Sequence, residues 1–353
     1  MGDNVSFSRV QMHARAGRRR QVVESQPADL AGAVIVERME NERNWDWDCI
    51  VVGGGAAGLS AALVLGRARR RTLVIDAGRQ SNRPAEGVGG LLGHDGRPPA
   101  ELYALGAEQI AAYPSVEIRP GEVRSGARDG GGFTLELSDG TTERGRRVLL
   151  ATGMDYRYPD LPGIAERWGR GVFHCPFCHG WEVRERPLAV LDRGATGAQR
   201  ALLLRAWSDD VTLLANGPAE LEADDAARLR AAGVEVDEGR VTGLVGPGAS
   251  LTAVATDDGE RACGGLLVPI TLHQRSPLAR QLGAEYTEKT PMTTEAIAVD
   301  GTFATNVDGL FAAGDVIAAM PSVATSVAQG SAAAAAIVHG LTADLPAALT
   351  SRS

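Results

Sequence analysis

His174-Cys175-Pro176-Phe177-Cys178-His179-Gly180-Trp181 gathers two thiols and two imidazoles into eight residues. Two residues between cysteines let both sulfurs meet across one turn, so a disulfide can form and open with little backbone movement. Pro176 suits the first position of a helix, and a thiol at a helix N-terminus ionises more readily. His179 follows the second thiol and titrates near neutrality, so it can take a proton from an incoming thiol or return one; its plainer reading is a loop residue. Three other uses compete for the cysteines. Zinc normally needs a second ligand pair, whereas Cys49 lies in an apolar run and Cys263 has no Cys or His at ligand spacing, so no metal site is expected. Cys-x-x-Cys-His also matches covalent haem attachment, which normally needs export, and the N-terminal stretch carries no secretory apolar region. A purely structural bridge is the third.

The surrounding elements decide among these. Residues 48–52 read as a buried parallel strand. Gly53-Gly54-Gly55-Ala56-Ala57-Gly58 follows at once, then an apolar helix from about Leu59 to Arg67 and a second strand, Thr72 to Ile75, ending at Asp76. This is the order of a dinucleotide-binding turn. Gly53 makes the turn, Gly55 lets backbone approach a pyrophosphate, and Gly58 lets helix and strand pack closely. The helix N-terminus offers free N–H groups to phosphate, and Asp76 can accept bonds from the adenosine ribose. The turn by itself does not separate FAD from a nicotinamide dinucleotide.

Gly309-Leu310-Phe311-Ala312-Ala313-Gly314-Asp315 resembles the second FAD motif of the thioredoxin reductase-like flavoproteins, and Ala151-Thr152-Gly153 resembles that family's A-T-G turn. The resemblance runs from about residue 46 to residue 342. It implies FAD as cofactor, with Asp315 and Gly314 at its ribityl and phosphate region. Ala77 and Asn82, beyond Asp76, fall in the same site by this resemblance. A helix over Pro321 to Leu341, with Val323 near its start, would meet the flavin's pyrimidine edge, where its dipole favours negative charge. The resemblance also implies that Cys178 is the flavin-proximal thiol and Cys175 the one that exchanges with substrate. Ordinary thioredoxin reductases commonly carry Asp where this chain has His179.

That family also needs a second nucleotide turn, for NADPH. The matching segment after the strand Leu188–Leu191 reads Asp192-Arg193-Gly194-Ala195-Thr196-Gly197, with Asp192 in place of the first Gly. Its charge would face a pyrophosphate, at about 1–4 kcal/mol for unit charges roughly 4 Å apart. No Arg or Lys follows the strand Val211–Leu214, where a 2′-phosphate would need one. With Cys-x-x-Cys-His, this departure is similar to the dithiol oxidases of holomycin and gliotoxin biosynthesis. The resemblance thus implies a small-molecule dithiol substrate, O₂ as acceptor and a homodimer. The rivals are an NADPH-dependent disulfide reductase and a flavin-binding redox sensor without turnover.

The expected fold class is α/β with two Rossmann-like domains. An FAD-binding domain at 46–155 and 285–345 is split by an insert at 156–284 that carries the cysteines. Residues 1–45, rich in Arg and poor in apolar periodicity, read as a disordered extension, and 346–353 as a tail. A net charge of −8 over 353 residues gives no basic field for nucleic acid or an anionic membrane. No apolar run approaches the roughly 20 residues a bilayer requires. A cytoplasmic protein is expected.

Overall fold

The computed structural model describes residues 45–317 and 321–343. The extension (but for residue 45) and the tail lie outside the described residues.

The chain enters through β1 (Trp47–Val52), whose last four residues are fully enclosed, as a strand covered on both faces must be. Helix α1 (Ala56–Arg67) returns it to β2 (Thr72–Asp76), parallel to β1 with Cys49 opposite Thr72. Helix α2 (Pro99–Ala111) then leads to β3 (Val116–Pro120) beside β2. The antiparallel meander β4 (Val123–Asp129), β5 (Gly132–Leu137) and β6 (Thr142–Leu150) closes the other side, giving the order β3-β2-β1-β6-β5-β4. Helix α1 begins at Ala56, three residues before the sequence expectation, because Gly55 caps it and Ala56 and Ala57 favour helix.

From β6 the chain crosses by β7 (Met154–Arg157) and α3 (Ile164–Arg167) into a second, parallel sheet. Its path is β8 (Val172–Phe173), α4 (Pro176–His179), β9 (Leu188–Leu191), α5 (Gly194–Leu204), β10 (Val211–Leu214), α6 (Ala223–Ala231) and β11 (Glu235–Asp237). A small antiparallel sheet follows, β12 (Val241–Val245), β13 (Ala253–Thr256) and β14 (Gly259–Ala262), before β15 (Gly265–Leu267) rejoins the parallel sheet in the order β11-β10-β9-β15-β8. The return is β16 (Thr271–Gln274), antiparallel to β7 with His273 opposite Asp155. Both the α/β class and the Rossmann-type layering are therefore present.

The return crossing comes earlier than residue 284. Helix α7 (Leu278–Gln281) and Ala284 pack into the core of the first sheet with Leu135 and Ile297. Leu278 and Leu282, four apart, share one helix face, and both approach Gly126 of β4, where a Cβ would lie 2.7 Å from Leu278 Cδ1. Strand β17 (Leu310–Ala312) then adds to the C-terminal half of β6, and α8 (Val323–Ala343) covers α1. Among the described residues no helix is long and apolar enough to cross a membrane.

Helices α1 and α8 meet almost backbone to backbone. A Cβ on Gly330 would stand 2.0 Å from the Ala57 carbonyl oxygen, and Ser60 Oγ donates to the Val327 carbonyl at 2.7 Å. Gly330→Val should therefore destabilise the fold by roughly 2–3 kcal/mol through overpacking. Gly340→Ala, with open space at the Cβ position, should be neutral or stabilise by up to about 1 kcal/mol. Urea denaturation of the two variants checks this, and equal midpoints would contradict the close crossing.

Candidate active site

The two glycines that pack and the one that does not separate structure from ligand. Gly53 has φ +113, and its Cβ would fall 2.2 Å from the Ala151 carbonyl oxygen. A Cβ on Gly58 would lie 1.8 Å from the Gly53 carbonyl oxygen, so Gly58 fits α1 against β1 and does not line the cavity. At Gly55 a Cβ would meet nothing nearer than Gln80 Cγ at 3.8 Å. Its missing side chain leaves room in the cavity rather than in the core, as a turn built to receive pyrophosphate requires.

That cavity, about 1530 Å³ with its open mouth, is lined by Gly53, Gly55, Ala56, Ala57, Asp76, Ala77, Asn82, Ala151, Thr152, Gly153, Gly314, Asp315 and Val323. Cys178 and His179 line it too; Cys175 does not. The Asp76 carboxylate accepts from the N–H groups of Gly54 (3.2 Å) and Gly78 (3.0 Å) and from Gln80 Nε2 (3.1 Å). Asn82 has one end fixed, since the Tyr103 hydroxyl donates to its Oδ1 at 2.7 Å. Its Nδ2 is buried with no protein partner. A buried donor left open in a cavity calls for a ligand acceptor. Asp315 accepts from the Tyr156 hydroxyl at 2.8 Å, and burial pushes its carboxyl up. The open Gly55 and the orphaned Asn82 amide both fit a bound dinucleotide.

Cys175 and Cys178 form a disulfide, with Cα atoms 5.4 Å apart; Cys175 is the N-cap of α4 and Pro176 its first residue. The loop from the first sheet comes up against this turn, for a Cβ on Gly89 would lie 2.7 Å from the Cys178 carbonyl oxygen. His179 Nε2 lies 3.1 Å from the Gly169 carbonyl oxygen, and its ring stacks on Phe173 at 5.7 Å. A carbonyl only accepts, so Nε2 carries the proton and Nδ1 is the basic nitrogen. Nδ1 is buried and unpaired. Burial lowers the His179 pKa, opposed by Glu182 and by the carbonyls of Gly169 and Cys175. His174 is pushed down to about 4 by burial, with His179 and Arg200 adding to the effect. It stacks on Trp168 at 5.7 Å and tilts over Tyr156 at 5.1 Å. Gln80, Tyr103 and Tyr156 carry no motif, and only their approach in space marks them. Cys49 and Cys263 are buried and free. Among the described residues no group of three or more His, Cys, Asp or Glu could hold a metal ion.

A turn with room for pyrophosphate and a disulfide on one cavity is the arrangement of a flavin-dependent thiol–disulfide enzyme, and a model of the pyridine nucleotide-disulphide oxidoreductases matches residues 47–330. The chain belongs to that family. Thioredoxin reductase tcpT of Claviceps purpurea is 33% identical over 84% of this chain and 95% of its own. The structure of HlmI is 39% identical with a TM-score of 0.78, covering 84% of this chain and 93% of HlmI. An oxidoreductase from Agrobacterium tumefaciens is 37% identical with a TM-score of 0.79, covering 84% and 98%. In thioredoxin reductase-like company, then, this oxidoreductase has a second nucleotide turn to account for.

That turn follows β9, and the structure corrects two expectations about it. Asp192 is not a lone negative charge: its Oδ2 pairs with Arg200 at 2.5 Å and its Oδ1 accepts from the Arg193 N–H at 2.8 Å. Nor is the end of β10 without a cation, for Arg193 reaches the Asn216 carbonyl at 3.4 Å and Glu220 at 3.3 Å. Sequence distance hid both partners. Each guanidinium already has a carboxylate, and Asp192 holds the N–H at the start of α5 that a pyrophosphate would use.

Proposed function

We propose that this oxidoreductase is an FAD-dependent dithiol oxidase that closes an intramolecular disulfide in a small natural product, with O₂ as acceptor. The observation that carries this reading is the pairing of an open first turn with a second turn satisfied by its own side chains. Asp192 with Arg200, and Arg193 with Glu220, meet internally the needs an NADPH phosphate would meet.

The chain's residues divide the work as follows. A substrate thiolate attacks Cys175 of the disulfide, which is partly exposed and does not line the cavity. The Cys175–Cys178 bond breaks as a mixed disulfide forms, and Cys178 leaves as thiolate. The second substrate thiol displaces Cys175, releasing the cyclic disulfide. His179, neutral at pH 7 because burial lowers its pKa, accepts the thiol proton at Nδ1. The Cys175 and Cys178 thiolates then re-form their disulfide, and FAD, when bound, would supply the acceptor for the electron pair so released and the donor that reduces O₂ to hydrogen peroxide. Gly55, Asp76, Asn82 and Asp315 would hold it. A homodimer acting in the cytoplasm completes the proposal.

A paired anaerobic titration tests it. A small dithiol should bleach the yellow protein, and air should restore it with release of peroxide. NADPH at millimolar concentration should do neither. Rapid bleaching by NADPH would make the chain a disulfide reductase instead, and bleaching by neither would favour a sensor.

A further inference from the structure

The cavity that would take the dinucleotide is acidic at its wall. Its charged lining comprises Asp76, Glu122 and Asp315 against Arg79 and Arg275. Arg79 is already engaged, in an ion pair with Glu122. His174 is neutral and the His179 pKa is lowered, so neither adds positive charge at pH 7. A pyrophosphate brings two further negative charges. The N-terminus of α1 offers only about half a unit of positive charge against them.

Arg275 is the remaining cation. It follows β16, half-buried, and Nη2 donates to Ser81 Oγ at 3.1 Å while Nη1 meets the Arg79 carbonyl. Among the described residues it has no carboxylate at ion-pair distance. The segment it grips is the one whose Gln80 bonds the Gly54 carbonyl at 3.3 Å and the Asp76 carboxylate. Its guanidinium therefore borders the wall of the glycine turn. Burial works against its charge, and Asp155 and Asp315 favour it only from beyond ion-pair distance. A half-buried guanidinium with no carboxylate in contact is well placed to take an anion.

We propose that Arg275 is the residue that balances the pyrophosphate charge of the bound dinucleotide, and so selects FAD over flavins that lack it; this rests on FAD being the cofactor. The competing role is a clip that merely holds residues 79–81. Arg275→Gln separates the two, because a Gln amide can still donate to the Arg79 carbonyl but carries no charge. Affinity is read on apo-protein from flavin fluorescence, with ADP as a second probe that has the pyrophosphate and no flavin. Arg275→Gln should weaken FAD and ADP by roughly 10–100-fold and flatten the salt dependence of both affinities. Arg275→Lys, keeping the charge, should recover most of the loss. FAD affinity within twofold of wild type, with unchanged salt dependence, would overturn the proposal and leave the clip. Should Arg275→Gln not survive removal of the flavin, the Lys variant decides alone. Near wild-type affinity and salt dependence support a charge role, and a loss as large as roughly 10-fold contradicts it. Failure of the wild-type apo-protein to bind FAD would instead sink the cofactor assignment itself.

Discussion

Cys178→Ser should lower dithiol turnover by roughly 10³-fold or more, as loss of a residue that forms and breaks the reacting bond does. Cys175→Ser should be as inactive, yet the two proteins should differ in colour. Cys178 lines the cavity and Cys175 does not. Removing Cys175 leaves a free Cys178 thiolate facing the flavin site, and a long-wavelength absorption band should appear when the cofactor is bound. Removing Cys178 leaves the thiol off the cavity and no such band. Full turnover in both single variants would end the cysteine mechanism; identical spectra would mean that the two sulfurs are not divided between substrate and cofactor.

His179→Ala should slow turnover by roughly 10²–10⁴-fold, the usual worth of general acid–base help, while leaving the flavin in place. Burial lowers the His179 pKa from its ordinary 6.5. The base is therefore in its accepting form at pH 7, and the acid limb of kcat/KM should lie below pH 6.5. The variant should lose that limb. Its deficit should be largest where the substrate thiols are mostly protonated, and should shrink as pH rises and they ionise unaided. A rate equal to wild type at every pH would return His179 to being a ring stacked on Phe173. Steady-state oxygen uptake between pH 5 and 9 is sufficient to decide.

The glycine turn was legible because each part obeys a local rule: the enclosed stretch Cys49–Val52 of the strand is wholly apolar, and a turn with φ +113 admits only Gly53. The division between cysteines was open to the resemblance but not to spacing, since both thiols sit on one turn and only the fold shows which meets the cavity. The second nucleotide turn was half legible. Asp192 stands out in the sequence, but Arg200 lies two helical turns further on and Glu220 beyond another strand. Charge at such a site belongs to pairs, and pairs form in three dimensions. The packing of Leu278, Ala279 and Leu282 into the first core was not legible, because a four-residue helix does not announce which sheet it will cover. Gln80, Tyr103 and Arg275 had no sequence signal, being ordinary residues brought to the wall by β2, α2 and β16.

The paired strands β7 and β16 carry the chain out of the first sheet and back at one place, with Met154 beside Gln274. The insert is thus attached like a cartridge, entering and leaving through a single doorway. The second nucleotide turn, which does not line the cavity, can diversify without disturbing the register of the first sheet. Mutations that close the second nucleotide turn therefore exact no toll on the first. A lineage could shed one cofactor and keep the other by small steps inside the cartridge, and a laboratory could swap the whole segment between relatives at the same two strands.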